Sequence, residues 1–260
     1  MNYGVAIFFT DYSIGPVEIG IALEERGFES LWAPEHSHIP LTRKSPYPQG
    51  GDLPKKYYDV MDPFVTLPAA AAVTKTLKVG TGICLVVQRD PIQTAKSVAS
   101  LDQISKGRFK LMEERVRAMR EIWTRPKPEF NGNHVKFGPM MSWPKPIQKP
   151  LPVIVGGMYP HGARRAIAFG DGWMPHASRP TYGESDILAH LPAFREMARS
   201  AGRDPVAIPI TAFNPPAEPD TLKRYRDAGI ERVVFSIASE DKDKTLATLD
   251  KLAAAMRQAG

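Results

Sequence analysis

Apolar residues in this chain fall into short runs separated by amphipathic stretches, and glycine repeatedly marks the change from one to the other. Tyr3 to Phe9 is a run of strand length. Gly15-Pro16 then opens a helix to Arg26, with proline in the first turn, where its missing N–H is no loss. Glu25-Arg26-Gly27 ends that helix and Phe28 to Ala33 forms a second strand. Phe169-Gly170 likewise precedes a strand at Asp171 to Met174, and Ala228-Gly229 one at Ile230 to Ile237. Glycine just past a helix takes the left-handed conformation that closes it without Cβ strain. Repeated helix–glycine–strand steps predict β/α units on a parallel sheet.

The same reading predicts helices from Asp62-Pro63 to Thr74, from Asp90-Pro91 to Ile104, over 186–200, near 219–228 and from Lys242 to Gln258. Further strands are predicted at Leu77 to Leu85, Pro152 to Val155 and Ala207 to Phe213. The strands then centre near residues 5, 31, 81, 154, 173, 210 and 235, one short of the eight that close a barrel. The rule fails at Ser105-Lys106-Gly107-Arg108-Phe109. A strand should begin there, yet Phe109, Met112, Val116, Met119 and Trp123 fall at helical spacing, predicting a helix over 109–124. Strand four and the loop after it are therefore expected to be missing, through an internal deletion near 107–110. The neighbouring strands could pair directly, or Gly107 to Lys110 could serve as a short fourth strand. The expectation is instead an incomplete barrel, open between strand three and the Val153 strand, that folds imperfectly or is inactive.

A length of 260 residues matches one (β/α)₈ barrel of about 250, so 1–260 is expected to be a single domain. Hydrophobic residues make up 43%, enough for a large core. The net charge of +6 is spread without a dense basic run, which argues against nucleic acid as a partner. Cys84 is the one cysteine, so no intrachain disulfide exists, in keeping with a cytoplasmic protein. Neither a signal peptide nor a membrane span is expected. Two Pro-rich excursions, 35–60 and 125–150, are long enough to be functional loops.

Candidate chemistry sits at predicted strand ends. Glu35-His36-Ser37-His38 follows strand two, where a carboxylate and an imidazole suit proton transfer or hydrogen bonding to a polar ring; ordinary exposed loop histidines are the alternative. His36 and His38 alternate and lack a third ligand, so no metal is expected. Gly80-Thr81-Gly82 ends strand three and admits either a flat ligand or a barrel-corner kink. Cys84 reads as a buried structural thiol. Gly156-Gly157, before a helix with Arg164 and Arg165, could hold a phosphate on backbone amides, although the dinucleotide G-x-G-x-x-G pattern is absent. Trp173 reads as core rather than as a cofactor platform.

Several of these segments together resemble the luciferase-like monooxygenase superfamily, and most closely its deazaflavin F420-dependent oxidoreductases. They are Glu25 to Trp32 with Pro34-Glu35-His36, Val79 to Ile83, Ala95 to Gly107, Trp143-Pro144-Lys145-Pro146 and Gly170 to Met174. The resemblance implies a (β/α)₈ barrel with coenzyme F420 at the strand C-termini. It implies Glu35 and His36 beside the deazaflavin ring, with His36 as proton donor or ring-binding group. It also implies a non-proline cis peptide at Gly82-Ile83 behind the ring, a phosphate tail on Gly156 and Gly157, and cofactor contacts at Leu85 and Tyr159. An active-site acid that such proteins often carry on strand four has no counterpart here. The implied activity is hydride transfer between F420 and a small organic substrate, by a cytoplasmic homodimer. The alternatives are an FMN-dependent monooxygenase and a non-catalytic barrel remnant.

Overall fold

The computed structural model describes residues 1–43, 47, 50–85, 88–112, 116–132, 135–177 and 187–260. Strands and helices alternate as β1 (Asn2–Ala6), α1 (Pro16–Glu25), β2 (Ser30–Ala33), α2 (Lys56–Asp59), α3 (Pro63–Val73), β3 (Lys78–Thr81), α4 (Pro91–Ile104), β4 (Phe109–Met112) and α5 (Val116–Thr124). A two-stranded hairpin of β5 (Phe130–Asn131) and β6 (Lys136–Phe137) interrupts them. The alternation resumes with β7 (Val153–Gly156), α6 (His161–Phe169), β8 (Gly172–Met174), α7 (Ile187–Ser200), β9 (Thr211–Phe213), α8 (Pro219–Asp227), β10 (Arg232–Ser236) and α9 (Lys242–Ala259). Both Asp-Pro starts act as read: Asp62 accepts from the Phe64 amide at 2.7 Å and Asp90 from that of Gln93 at 2.8 Å.

The main sheet runs in the order β8-β7-β4-β3-β2-β1-β10-β9, with every pairing parallel. Its two ends meet through single bridges, Trp173 to Ile210 and His176 to Phe213, rather than a continuous ladder. A large aliphatic layer lies between the strands and the surrounding helices. The barrel interior holds a smaller cluster of Ala6, Trp32, Ile154, Met174 and Val234. Trp32 fits inside because its partners across the sheet are small, Gly80 on β3 and Ala6 on β1, and Gly4 lies close by. A Cβ at Gly80 would lie 2.7 Å from the indole ring, and one at Gly4 3.1 Å from its Nε1.

The fourth position corrects the expected gap. Phe109 is not the start of a helix; it pairs with Val79 on β3, and Leu111 with Val153 on β7. The reason lies just upstream. Gly107, at φ +80°, closes α4, and the Arg108 guanidinium then grips the carbonyls of Leu77 (2.5 Å), Ala71 (2.8 Å) and Thr74 (3.1 Å). The Arg108 carbonyl accepts from the Val79 amide, which sets Phe109 in register with β3. Strand four is therefore short rather than absent, and three residues, 113–115, separate it from α5.

Below the barrel, buried Arg232 donates to both Glu29 oxygens, at 2.7 and 2.8 Å, and Lys78 adds a third contact at 2.7 Å. Outside, buried Asp102 of α4 accepts from the Ile147 and Gln148 amides and fixes the second Pro-rich excursion, while the Lys145 ammonium caps the α5 C-terminus on the carbonyls of Ile122 and Arg125. No helix among the described residues is long and apolar enough to cross a membrane.

Candidate functional site

A cavity of about 510 Å³ opens at the C-terminal ends of the strands. Among the described residues, β1, β2, β3, β7, β8, β9 and β10 each supply a wall residue from the strand end or the segment just after it. The first excursion adds Tyr47, Lys56 and Tyr57. Phe8 packs against Tyr57 with ring centroids 4.8 Å apart, and Tyr47 against Tyr57 at 5.8 Å, so one wall is aromatic. A larger cavity of about 770 Å³ lies outside the barrel, among α4, α5 and residues 143–151; no strand end reaches it.

Gly82 and Ile83 are in the wall of the strand-end cavity. Their peptide bond is trans, not cis: the three cis bonds among the described residues all precede proline. Strand three stops at Thr81 instead of running to Leu85. The Gly82 amide still donates to Ala33 (2.8 Å), and the chain then bends outward without the cis geometry. Gly80 admits neither ligand nor kink; it makes room for Trp32.

Glu35 does not line the cavity. It is 3% exposed, accepts from the Leu85 amide at 2.8 Å and pairs with Arg89 Nε at 2.5 Å. Arg89 reaches on to Asp62, also at 2.5 Å, and its guanidinium lies 4.7 Å from the Phe64 ring centre. The cluster ties the segment after β2, the segment after β3 and the start of α3 into one unit behind the wall. Leu85 takes part through its backbone. Cys84 lies in the wall, where burial and the Glu35 carboxylate push its thiol well above the ordinary range, as befits a structural residue.

His36 does not line the cavity either; it is half-buried beside the aromatic wall, 5.1 Å from Tyr57 and 6.3 Å from Phe8 between ring centres. Burial lowers its pKa, against a smaller opposing pull from Glu35, which favours the neutral imidazole. His38 is exposed and bonds Ser37 at 2.9 Å instead. No group of three His, Cys, Asp or Glu among the described residues could hold a metal.

Gly156 and Gly157 form the wall opposite Phe8, since β7 and β1 stand four places apart around the eight strands. Gly157 has φ +116°, and a Cβ there would lie 2.8 Å from the Arg165 guanidinium. Its carbonyl accepts from the Trp173 indole at 2.8 Å. Trp173 is core, 1% exposed and stacked on Phe194 at 4.8 Å, as read, but it also pins this turn. Tyr159 lies beyond the wall, stacked on His190 at 4.6 Å.

The family model for luciferase-like monooxygenases matches residues 16–112 and 110–257. The chain belongs to the luciferase-like monooxygenase family. The two matches meet at 110–112, within β4. A Mycobacterium tuberculosis H37Rv protein of uncharacterised function is 34% identical over 283 aligned positions, covering 98% of each chain. At least 23 positions of that alignment (283 less 260) therefore face no residue here. An F420-dependent glucose-6-phosphate dehydrogenase from Amycolatopsis mediterranei is 24% identical, over 71% of this chain and 59% of its own. Among solved structures, an F420-dependent secondary alcohol dehydrogenase in complex with an F420-acetone adduct superposes with a TM-score of 0.71 at 19% identity, over all of both chains.

As a luciferase-like protein the chain has a cavity that suits a flavin-type ring. Its volume lies in the usual range for small-molecule sites, and its wall is largely apolar. The Gly156-Gly157 turn at the start of α6, with exposed Arg164 and Arg165 on that helix, suits an anionic tail through backbone amides and guanidinium groups. Three wall residues carried no readable sign in the sequence. Lys56 lies in an aperiodic loop, and His176 and Asn214 stand one or two residues beyond short strands. Asn214, at φ +54°, is the only one with a local hint, since asparagine tolerates that conformation.

Proposed function

We propose that this chain is an F420-dependent oxidoreductase acting on a small organic substrate at the strand-end cavity. The observation that carries the reading is the Gly156-Gly157 turn facing an aromatic wall across an apolar cavity in a luciferase-like barrel. When bound, the deazaflavin supplies two-electron hydride chemistry. Gly156, Gly157 and the start of α6 bind the anionic tail. Gly82 and Ile83 back the ring, and the buried Glu35–Arg89 pair fixes the peptide segment behind them. His36, beside the aromatic wall and with its neutral form favoured by burial, accepts or returns the substrate proton at a ring nitrogen. Phe8, Tyr57 and Phe213 exclude water from the floor and wall.

Monooxygenases share the fold, one of them solved in complex with FMN, so the deciding experiment titrates the apoprotein separately with F420 and FMN by fluorescence. Saturable F420 binding with FMN at least tenfold weaker is expected. Tighter FMN binding points to the monooxygenase branch, and binding of neither points to a non-catalytic remnant; either result overturns the proposal.

A further inference from the structure

Among the described residues, charge in the strand-end cavity is one-sided. No Asp or Glu lines it among the described residues, and its one Lys or Arg is Lys56. The nearest acid on the same short helix, Asp59, is paired with Lys55 at 3.1 Å. No described carboxylate lies within ion-pair reach of Lys56; its ammonium sits 4.9 Å from the Phe8 ring centre and 6.0 Å from that of Tyr57. A half-buried ammonium held only by ring faces keeps donors to spare. Burial also lowers its pKa, which is the cost an anionic ligand would remove.

Position separates this cation from the cofactor's tail. Phe8 follows β1, and the Gly156-Gly157 turn ends β7, on the far side of the barrel. We infer that Lys56 is the specificity residue for the substrate, and that the substrate is a flat organic anion, with its carboxylate or phosphate on the Lys56 ammonium and its body against Phe8 and Tyr57. The inference rests on the proposed oxidoreductase site, but its test does not need turnover.

Benzoate and its neutral isostere benzamide are titrated calorimetrically into the wild-type chain, K56Q and K56R, each with and without F420, and F420 affinity is measured separately by fluorescence. The expected result is benzoate binding weakened about tenfold or more in K56Q and largely kept in K56R. Benzamide binding and F420 affinity should be the same in all three. No benzoate binding by the wild-type chain, or binding that K56Q leaves unchanged, overturns the inference. Loss of F420 affinity in K56Q also overturns it, by assigning Lys56 to the cofactor's tail. Lys56-dependent benzoate binding without any F420 binding supports the anion site while removing the F420 reading.

Discussion

Replacing Arg89 with methionine tests whether the Glu35 cluster is the support behind the site. Glu35 is 3% exposed and is held by the Leu85 amide, Arg89 and the Cys84 thiol. R89M keeps most of the side-chain bulk over Phe64 but leaves the carboxylate buried with one amide, one thiol and no counter-charge. Breaking a buried pair from one side costs about 3–5 kcal/mol, because the remaining charge cannot return to water. The Arg89–Asp62 contact adds little, since Asp62 is 43% exposed. At about 2–4 °C per kcal/mol for a chain of this size, Tm should fall by roughly 6–20 °C. E35Q removes the charge and should cost less. The double variant E35Q/R89M should be more stable than the sum of the two single losses predicts. Thermal and urea melts of the four proteins measure this. If R89M melts within about 2 °C of the wild-type protein, or the double variant is simply additive, Glu35 is not held as described. Where the melts behave as expected, loss of Glu35 acts through stability, by freeing the Leu85 amide and the segment behind the cavity wall, rather than by removing a ligand contact.

Glu29 provides an acid-sensitive contact. Burial alone would raise its pKa, but Arg232 and Lys78 outweigh that and hold it at about 2, against an ordinary 4.5. A depressed carboxylate stabilises the fold above its unfolded pKa and loses that contribution as pH falls, here between about 4.5 and 2, amounting to about 3 kcal/mol. Urea melts from pH 6 to 2 should show this loss in the wild-type chain and a flatter profile in E29Q; parallel profiles would refute the assignment. Inserting after Met112 a strand-four extension and loop taken from the M. tuberculosis relative should change Tm by only a few degrees, because β4 already pairs on both sides. It should change F420 affinity more, because the segment after β4 is at the same end of the barrel as the strand ends that form the cavity wall. A Tm gain above about 10 °C would mean instead that the short strand is poorly formed.

Much of the fold was legible in the sequence because its punctuation is local. The Asp-Pro caps and the glycines at 27, 107 and 229 act within one helix end, and each lies where a helix was read to start or stop. The fourth strand was hidden by phase. From Phe109 to Val116 is seven residues, two turns of a helix, so a four-residue strand plus a three-residue connection leaves the apolar pattern in register with α5. The contact that breaks the ambiguity, Arg108 on Ala71 and Leu77, spans more than thirty residues and has no periodic signature.

The site divides along the same line. Residue type and strand-end position were enough to nominate Gly82, Gly156 and Gly157, and the family resemblance added Ile83; all four reach the cavity. They were not enough to place Glu35, because a carboxylate written next to a histidine gives no hint that an arginine 54 residues later will claim it. Charge compensation decides which polar groups near a cavity remain available to a ligand. Glu35 is consumed by Arg89 and Asp59 by Lys55, whereas Lys56 keeps only ring faces among the described residues. Chemistry at this site therefore follows from what the neighbouring charges leave unspent, and that is a property of the folded chain.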